Sequence, residues 1–127
     1  MTASRATSER LRVGIVGGGA ITQVAHLPVL KKLKTVEVQA ICDTDLPKAR
    51  ALADRFGVKD ALDDIEDLLQ FESLDAVVIC SPNHLHESHI LAALSANVHV
   101  LVEKPLAMNA AAVQRIVRAA EKRDRVV

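Results

Sequence analysis

The sequence predicts an α/β fold with a doubly wound parallel sheet, and three observations support this prediction. Short runs rich in valine and isoleucine alternate with segments whose apolar residues recur at helical spacing. Half of the 127 residues are hydrophobic but only 2% are aromatic, so the core must consist of valine, isoleucine, leucine and alanine. That composition is typical of a parallel sheet covered by helices on both faces. A glycine-rich turn also follows the first apolar run directly, which is typical of a strand that leads into a helix.

Five strands are predicted from apolar or β-branched runs. They are residues 11–16, 36–42, a weak third at 58–61, 76–80 and 98–102. Because helical patterns alternate with the strands, the strands should be parallel with right-handed crossovers, in the order 3-2-1-4-5-6. Residues 125–127 are interpreted as the opening of a sixth strand. The sheet is therefore expected to be truncated there, and the chain to be part of a longer protein.

The helical segments carry start and stop signals. Pro28 should interrupt the first helix, residues 20–33, near Leu27, because proline disfavours helical geometry in the residue before it. Pro47 opens the second helix, and Gly57 should end it as a left-handed cap. Further helices are expected over 65–69, over 90–94 and after Asn109, which should cap the last one. The inner face of the last helix is predicted to be Val113, Ile116, Val117 and Ala120.

Composition and charge exclude several classes of protein. The formal net charge is zero, which argues against a nucleic-acid surface, since such a surface carries clustered positive charge. No apolar run approaches the ~18 residues of a membrane span. Residues 1–10 are polar and are expected to be a disordered leader before a dinucleotide-binding domain over 11–127. Cys42 and Cys80 are predicted to be unpaired core thiols in a cytoplasmic protein.

The glycine turn has the pattern of a phosphate-binding turn. Gly17, Gly19 and Thr22 occupy the three glycine positions of G-x-G-x-x-G. The first glycine allows the tight turn, the second lets backbone approach a pyrophosphate, and the free N–H groups of the helix start, with Ala20 and Ile21, would bind it. Thr22 departs from the pattern and adds bulk where the helix packs on the strand. A tight strand-to-helix turn that binds no ligand is the alternative.

Asp43 supplies the acidic partner that a Rossmann-type turn requires. It ends the second strand 24 positions after Gly19, near the ~20 expected for the residue that binds the adenosine ribose. A carboxylate there accepts hydrogen bonds from ribose hydroxyls and repels a 2′-phosphate, so NAD is favoured. Lys48 and Arg50 leave NADP possible, and Asp45 is an alternative as a helix N-cap. A methyltransferase that binds S-adenosylmethionine would share both features.

Two further clusters should lie at the carboxyl edge of the sheet, where ligands bind in doubly wound folds. The fourth strand ends in SPNHLH at 81–86, and the fifth ends in Glu103-Lys104-Pro105. The other histidines have no spacing that forms a metal site with carboxylates or cysteines, so no metal is expected.

From about Arg12 to its end, the chain resembles the N-terminal domain of the Gfo/Idh/MocA family, which includes glucose–fructose oxidoreductase and inositol dehydrogenase. The resemblance rests on GGGAITQVAHLPVL at 17–30, ICD at 41–43, SPNHLH at 81–86 and VHVLVEKPLA at 98–107. The E-K-P triplet in this setting is the most specific of these motifs.

The resemblance implies roles for the two clusters. Lys104 would lie beside the nicotinamide ribose and the reacting hydroxyl of a sugar-like substrate as the catalytic residue, partly buried there. Glu103 would contact the cofactor ribose or hold Lys104 in place. Ser81, Pro82 and Asn83 would line the cofactor groove, with His86 near the nicotinamide end. His86 is equally a candidate for a first-turn helix residue whose ring is satisfied by backbone.

The resemblance implies an oxidoreductase that moves a hydride between NAD(P) and a sugar, polyol or related hydroxy compound. The family's substrate domain has no counterpart in the sequence, so the chain alone is expected to bind cofactor weakly, without turnover. The longer protein is expected to be a homo-oligomer. A lyase or glycosidase that uses bound NAD transiently and a non-catalytic nucleotide-sensing domain remain as alternatives.

Overall fold

The computed structural model describes residues 10–127, so the predicted leader lies outside the described residues except for Arg10. The strands are β1, Leu11–Val16; β2, Val36–Cys42; β3, Asp60–Leu62; β4, Ala76–Ile79; and β5, His99–Val102. The helices are α1, Leu27–Lys32; α2, Leu46–Phe56; α3, Ile65–Leu69; α4, His86–Ser95; and α5, Ala110–Arg123. A π-helical turn, Thr22–His26, runs directly into α1, and a short 3-10 turn, Asn83–Leu85, leads into α4.

The five strands form one parallel sheet in the order β3-β2-β1-β4-β5, which confirms the doubly wound prediction. Strand order reverses between β1 and β4, since the chain passes from β1 to β2 and β3 on one side before β4 pairs on the other. Val16, the last residue of β1, lies opposite Cys42 of β2 and Ile79 of β4. The loops that follow these three strands therefore meet at one edge of the sheet.

The sheet separates two apolar layers. On one face, α1 and α2 pack against the sheet, with Leu27 and Leu52 buried among the strand side chains of Val13 and Ile15. On the other face, the buried cluster contains Leu68 of α3 together with residues of α4, α5 and the strands. The sheet is thus covered on both faces, as its unbroken apolar strands require.

Most predicted boundaries and caps are confirmed. Between His26 and Leu27, next to Pro28, the first helical segment changes from π-helical to α-helical, but both residues keep helical backbone angles, so the predicted interruption is not a break. Gly57 adopts the left-handed conformation (φ +69°) and ends α2. Asn109 caps α5, because its side-chain oxygen accepts a hydrogen bond from the Ala112 amide at 2.9 Å.

Two predictions of local structure hold only in part. The third strand is present, but it begins at Asp60 rather than at residue 58, because the Val58 amide donates to the Ala53 carbonyl at 2.7 Å and so belongs to the end of α2. On α5, Ile116 is buried as predicted, but Val117 is 47% exposed although it was assigned to the inner face. Ala112 is buried in its place.

The last residues of the chain contact β5. The Val100 amide donates to the Val126 carbonyl at 2.9 Å, and the Val126 amide donates to His99 Nδ1 at 3.0 Å. This is one backbone bond of the kind expected for a sixth strand, although residues 125–127 are not in strand conformation. In the described part of the chain, every helix is too short or too polar to cross a bilayer.

Candidate functional site

A cleft of about 440 Å³ lies at the carboxyl edge of the sheet, beside the point where strand order reverses. Its walls come from the loops after β1, β2 and β4, and from the beginnings of α2 and α3. The lining residues that matter most are Gly17, Gly18, Gly19, Asp43, Lys48, Ser81, Pro82 and His89. Three loops that are far apart in sequence thus form one concave surface, as expected for a ligand site in this fold.

The first and second glycines of the turn have different environments. Gly17 has φ +101°, and a Cβ there would lie 2.5 Å from the backbone carbonyl group of Cys80 and 2.7 Å from the Ser81 amide. Only glycine fits that position. A Cβ on Gly19 would meet nothing within 4 Å, so the space beside the turn is open. Open space at the second glycine is what the close approach of a pyrophosphate requires.

Thr22 replaces the third glycine without distorting the turn. Its side chain is fully buried, and its hydroxyl donates a hydrogen bond to the Gly17 carbonyl at 2.5 Å. The extra bulk expected of threonine is therefore accommodated, and the hydroxyl ties the π-helical turn to the first glycine.

Asp43 holds the glycine turn as well as lining the cleft. Its Oδ2 accepts from the Gly18 amide at 2.8 Å, and its Oδ1 accepts from the Asp45 amide at 2.8 Å. The ammonium of Lys48 lies 3.8 Å from Oδ2. A carboxylate offers about four acceptor positions, so capacity remains for ribose hydroxyls. Asp45 acts as the N-cap of α2, since its Oδ1 accepts from the Lys48 amide at 3.2 Å.

Ser81 and His89 form the opposite wall. Ser81 Oγ lies 2.8 Å from His89 Nδ1, and both residues line the cleft with Pro82. Burial, and secondly the neighbouring His86, lower the pKa of His89. Asn83, predicted to lie in the same groove, is an exposed residue that begins the 3-10 turn next to the cleft.

His86 lies behind this wall rather than on it. Its side chain is 1% exposed, and its two ring nitrogens face the carbonyl oxygens of Ser81 and Pro105, at 2.9 and 2.6 Å. It has almost no surface to offer a ligand. The arrangement is that of the alternative, a histidine satisfied by backbone.

The Glu103-Lys104-Pro105 turn follows β5, and the Lys104–Pro105 peptide bond is cis. Glu103 pairs with His26 of the π-helical turn, with Oε2 2.7 Å from Nε2, and that hydrogen bond lowers the pKa of Glu103. Lys104 is exposed rather than partly buried, because the described residues leave the surface around it open. Sequence reasoning missed His26, since its partner lies 77 positions away and no local signal links them.

The two cysteines, Cys42 and Cys80, are unpaired, and both line the cleft. Burial raises the pKa of the Cys42 thiol to about 12, and burial also raises that of Cys80. Cys42 is the last residue of β2 and Cys80 follows β4, and β1 lies between these two strands, in agreement with the expectation that the cysteines do not pair. Both thiols are therefore poor nucleophiles.

Comparison with protein families identifies the group to which this cleft belongs. The model described as "Oxidoreductase family, NAD-binding Rossmann fold" matches residues 11–127. This chain belongs to the Gfo/Idh/MocA family. Residues 11–127 are accordingly an NAD(P)-binding Rossmann domain, and the methyltransferase alternative is excluded.

Several members of the Gfo/Idh/MocA family are similar to the chain. D-Glucoside 3-dehydrogenase of Escherichia coli is 36% identical over 124 residues, which is 98% of this chain and 35% of that protein. Myo-inositol 2-dehydrogenase of Thermotoga maritima is 32% identical over 90% of this chain and 34% of its own length. Among solved structures, a 3-ketoreductase from Actinomadura kijaniata in complex with NADP superposes with a TM-score of 0.89. It is 32% identical, over 94% of this chain and 38% of that one.

The chain thus spans little more than a third of the length of the relatives it matches. The matched part is the dinucleotide-binding domain, and it contains the glycine turn, Asp43 and the Glu103-Lys104-Pro105 turn.

Proposed function

We propose that this chain is the cofactor-binding part of an oxidoreductase that moves a hydride between NAD(P) and a sugar, polyol or related hydroxy compound. The observation that carries the proposal is the open space beside Gly19, at the end of a turn that only glycine at position 17 can form. Membership of the Gfo/Idh/MocA family and similarity to dehydrogenases of a glucoside and of inositol support the substrate class. When bound, the nicotinamide supplies the hydride acceptor or donor.

The pyrophosphate is expected to lie against Ala20 and Ile21, the helical residues that precede the π-helical turn. The Gly17 amide donates to the Cys42 carbonyl, and the Gly18 amide donates to Asp43. The donors that remain are the N–H groups of Gly19, Ala20 and Ile21, because the first turn of a helix has no internal acceptors for them. Positive charge at the helix N-terminus would favour the phosphates further.

The adenosine ribose is expected beside Asp43, with a preference for NAD. The two oxygens of this carboxylate each accept one backbone amide, and Asp43 lines the cleft. A 2′-phosphate placed there would be repelled by Asp43, although Lys48, 3.8 Å away, would offset part of the repulsion. The related 3-ketoreductase was solved with NADP.

The nicotinamide end is expected between the Ser81-Pro82-Asn83 wall and the Glu103-Lys104-Pro105 turn. Lys104 would position the reacting hydroxyl and take part in its proton transfer, and the residue is exposed. Glu103, fixed by His26, would define where the lysine lies relative to the first helix. A substrate also has to be held in reactive geometry, so the chain alone is expected to bind cofactor without turnover.

Calorimetric titration with NAD and with NADP tests the cofactor assignment. Asp43→Asn is expected to lower NAD affinity by about tenfold to a hundredfold, as for hydrogen bonds to a charged group, and to shift the preference toward NADP. Asp54→Asn is the matched control, because Asp54 is an exposed carboxylate on α2 outside the cleft lining. An unchanged NAD-to-NADP affinity ratio in Asp43→Asn would contradict the ribose assignment. Reduction of NAD by polyols with the 127-residue chain would contradict the expected lack of turnover.

A further inference from the structure

A chain of hydrogen bonds connects the cofactor cleft to the Glu103-Lys104-Pro105 turn. Its first link joins His89 Nδ1 to Ser81 Oγ at 2.8 Å, inside the cleft. Its second joins the Ser81 carbonyl to His86 Nε2 at 2.9 Å, and its third joins His86 Nδ1 to the Pro105 carbonyl at 2.6 Å. His86 therefore lies between the loop after β4 and the turn after β5.

The hydrogen-bonding chemistry of this link is restrictive. A carbonyl oxygen only accepts hydrogen bonds, and a neutral imidazole carries one N–H and one lone pair. Both contacts of His86 end on carbonyl oxygens, so each hydrogen that a ring nitrogen carries is donated to one of the two loops. The ring is 1% exposed, so water cannot replace a contact that is lost.

The charged groups around His86 are either paired or exposed. His89, one turn further along α4, has its pKa lowered by burial first and by His86 second. Glu87, the next residue, is held in a two-point ion pair by Arg115 of α5. In the turn on the other side, Lys104 is exposed to solvent and Glu103 is paired with His26.

We propose that His86 is a positioning residue that holds the turn carrying Lys104 against the Ser81 wall of the cleft. This inference rests on the proposed function, because the placement of Lys104 relative to that wall matters only if the cleft binds a dinucleotide. His86 contacts neither cofactor nor substrate. It acts through the two carbonyls, one in the loop after β4 and one in the turn after β5.

Amide ¹H–¹⁵N spectra of the 127-residue chain give the test, because they report hydrogen exchange and ligand binding residue by residue.

Substitution tests the positioning role. His86→Phe fills the same space without donors and is expected to speed amide hydrogen exchange over residues 103–107 by about tenfold, as for a buried carbonyl left without its donor. His84→Gln, in the exposed 3-10 turn, is the control and should leave that exchange unchanged. If His86→Phe fails to fold, His86→Gln, whose amide can donate to only one side of the gap, is expected to give intermediate protection.

The same spectra separate the two proposals. Unaltered exchange over 103–107 in both His86 variants contradicts the positioning role, whatever the cofactor affinity. A lack of any spectral change at Gly19 and Ser81 on adding NAD or NADP to the unmodified chain contradicts the proposed function, whatever the amide exchange over 103–107 in the His86 variants.

Discussion

The substitution Gly17→Ala should unfold the domain more readily, whereas Gly19→Ala should spare stability and weaken cofactor binding. At position 17 the new methyl group would lie 2.5 Å from the backbone of Cys80, and φ would remain at +101°. A strained backbone conformation costs about 1–3 kcal/mol, and overpacking against atoms that cannot move costs about 1–3 kcal/mol more. The free energy of unfolding should therefore fall by about 4 kcal/mol, a large part of the 5–15 kcal/mol typical of domains.

At position 19 the same methyl group meets nothing within 4 Å, and the residue needs no positive φ. Its free energy of unfolding should be unchanged or rise by up to about 1 kcal/mol, since alanine restricts the unfolded chain. The methyl group would occupy the space assigned to the pyrophosphate, so NADH affinity should fall by about tenfold or more, about 1.4 kcal/mol. Urea unfolding followed by circular dichroism and NADH titration by fluorescence measure the two effects. Wild-type stability in Gly17→Ala, or wild-type affinity in Gly19→Ala, would refute the reasoning.

Three further predictions concern titration and packing. Burial lowers the pKa of His89 below 6.5, so the unfolded chain binds a proton at a higher pH than the folded chain does. The free energy of unfolding, measured with urea at a series of pH values, should therefore fall as pH falls below about 6.5, and it should fall less in His89→Gln. The hydrogen bond with His26 lowers the pKa of Glu103 from its ordinary value of 4.5, so ionised Glu103 stabilises the fold above that pH. This contribution to the free energy of unfolding should disappear as pH falls through the lowered pKa, and Glu103→Gln should remove that part of the pH dependence. Leu27→Ala should cost about 2–5 kcal/mol in thermal or urea unfolding, because Leu27 is fully buried, whereas Val24→Ala in the same helical segment, 74% exposed, should change stability by less than about 0.5 kcal/mol.

Sequence periodicity predicted the strands well, because both faces of a parallel sheet are buried and its strands are therefore continuously apolar. Val36–Cys42 begins and ends where the pattern predicted. Periodicity predicted the inner face of α5 less well, since Val117 and Ala112 differ by little in apolar pattern. Which of them is buried depends on how the helix packs against α4, and that orientation is a property of the tertiary packing rather than of the segment.

In the candidate site too, local sequence signals were predictable and contacts between distant segments were not. The glycine turn and Asp43 are local signals, and the structure brings them together through one hydrogen bond from the Gly18 amide. The pair of His26 with Glu103 was not predictable in this way, because it joins the first helical segment to the end of β5. His86 carried two possible roles in the sequence, and only the positions of two backbone carbonyls distinguish them.

Asp43 links the stability of the turn to the choice of cofactor, and this decides how its variants must be measured. Each of its oxygens accepts a backbone amide, from Gly18 and from Asp45. In Asp43→Asn one of those amides would face the NH₂ group, so the turn itself should loosen and the pyrophosphate should bind less well with either cofactor. That loss is common to NAD and NADP, because both carry the same pyrophosphate. The repulsion of a 2′-phosphate concerns NADP alone, so the ratio of the two affinities isolates the ribose contribution of Asp43, whereas either affinity taken singly does not.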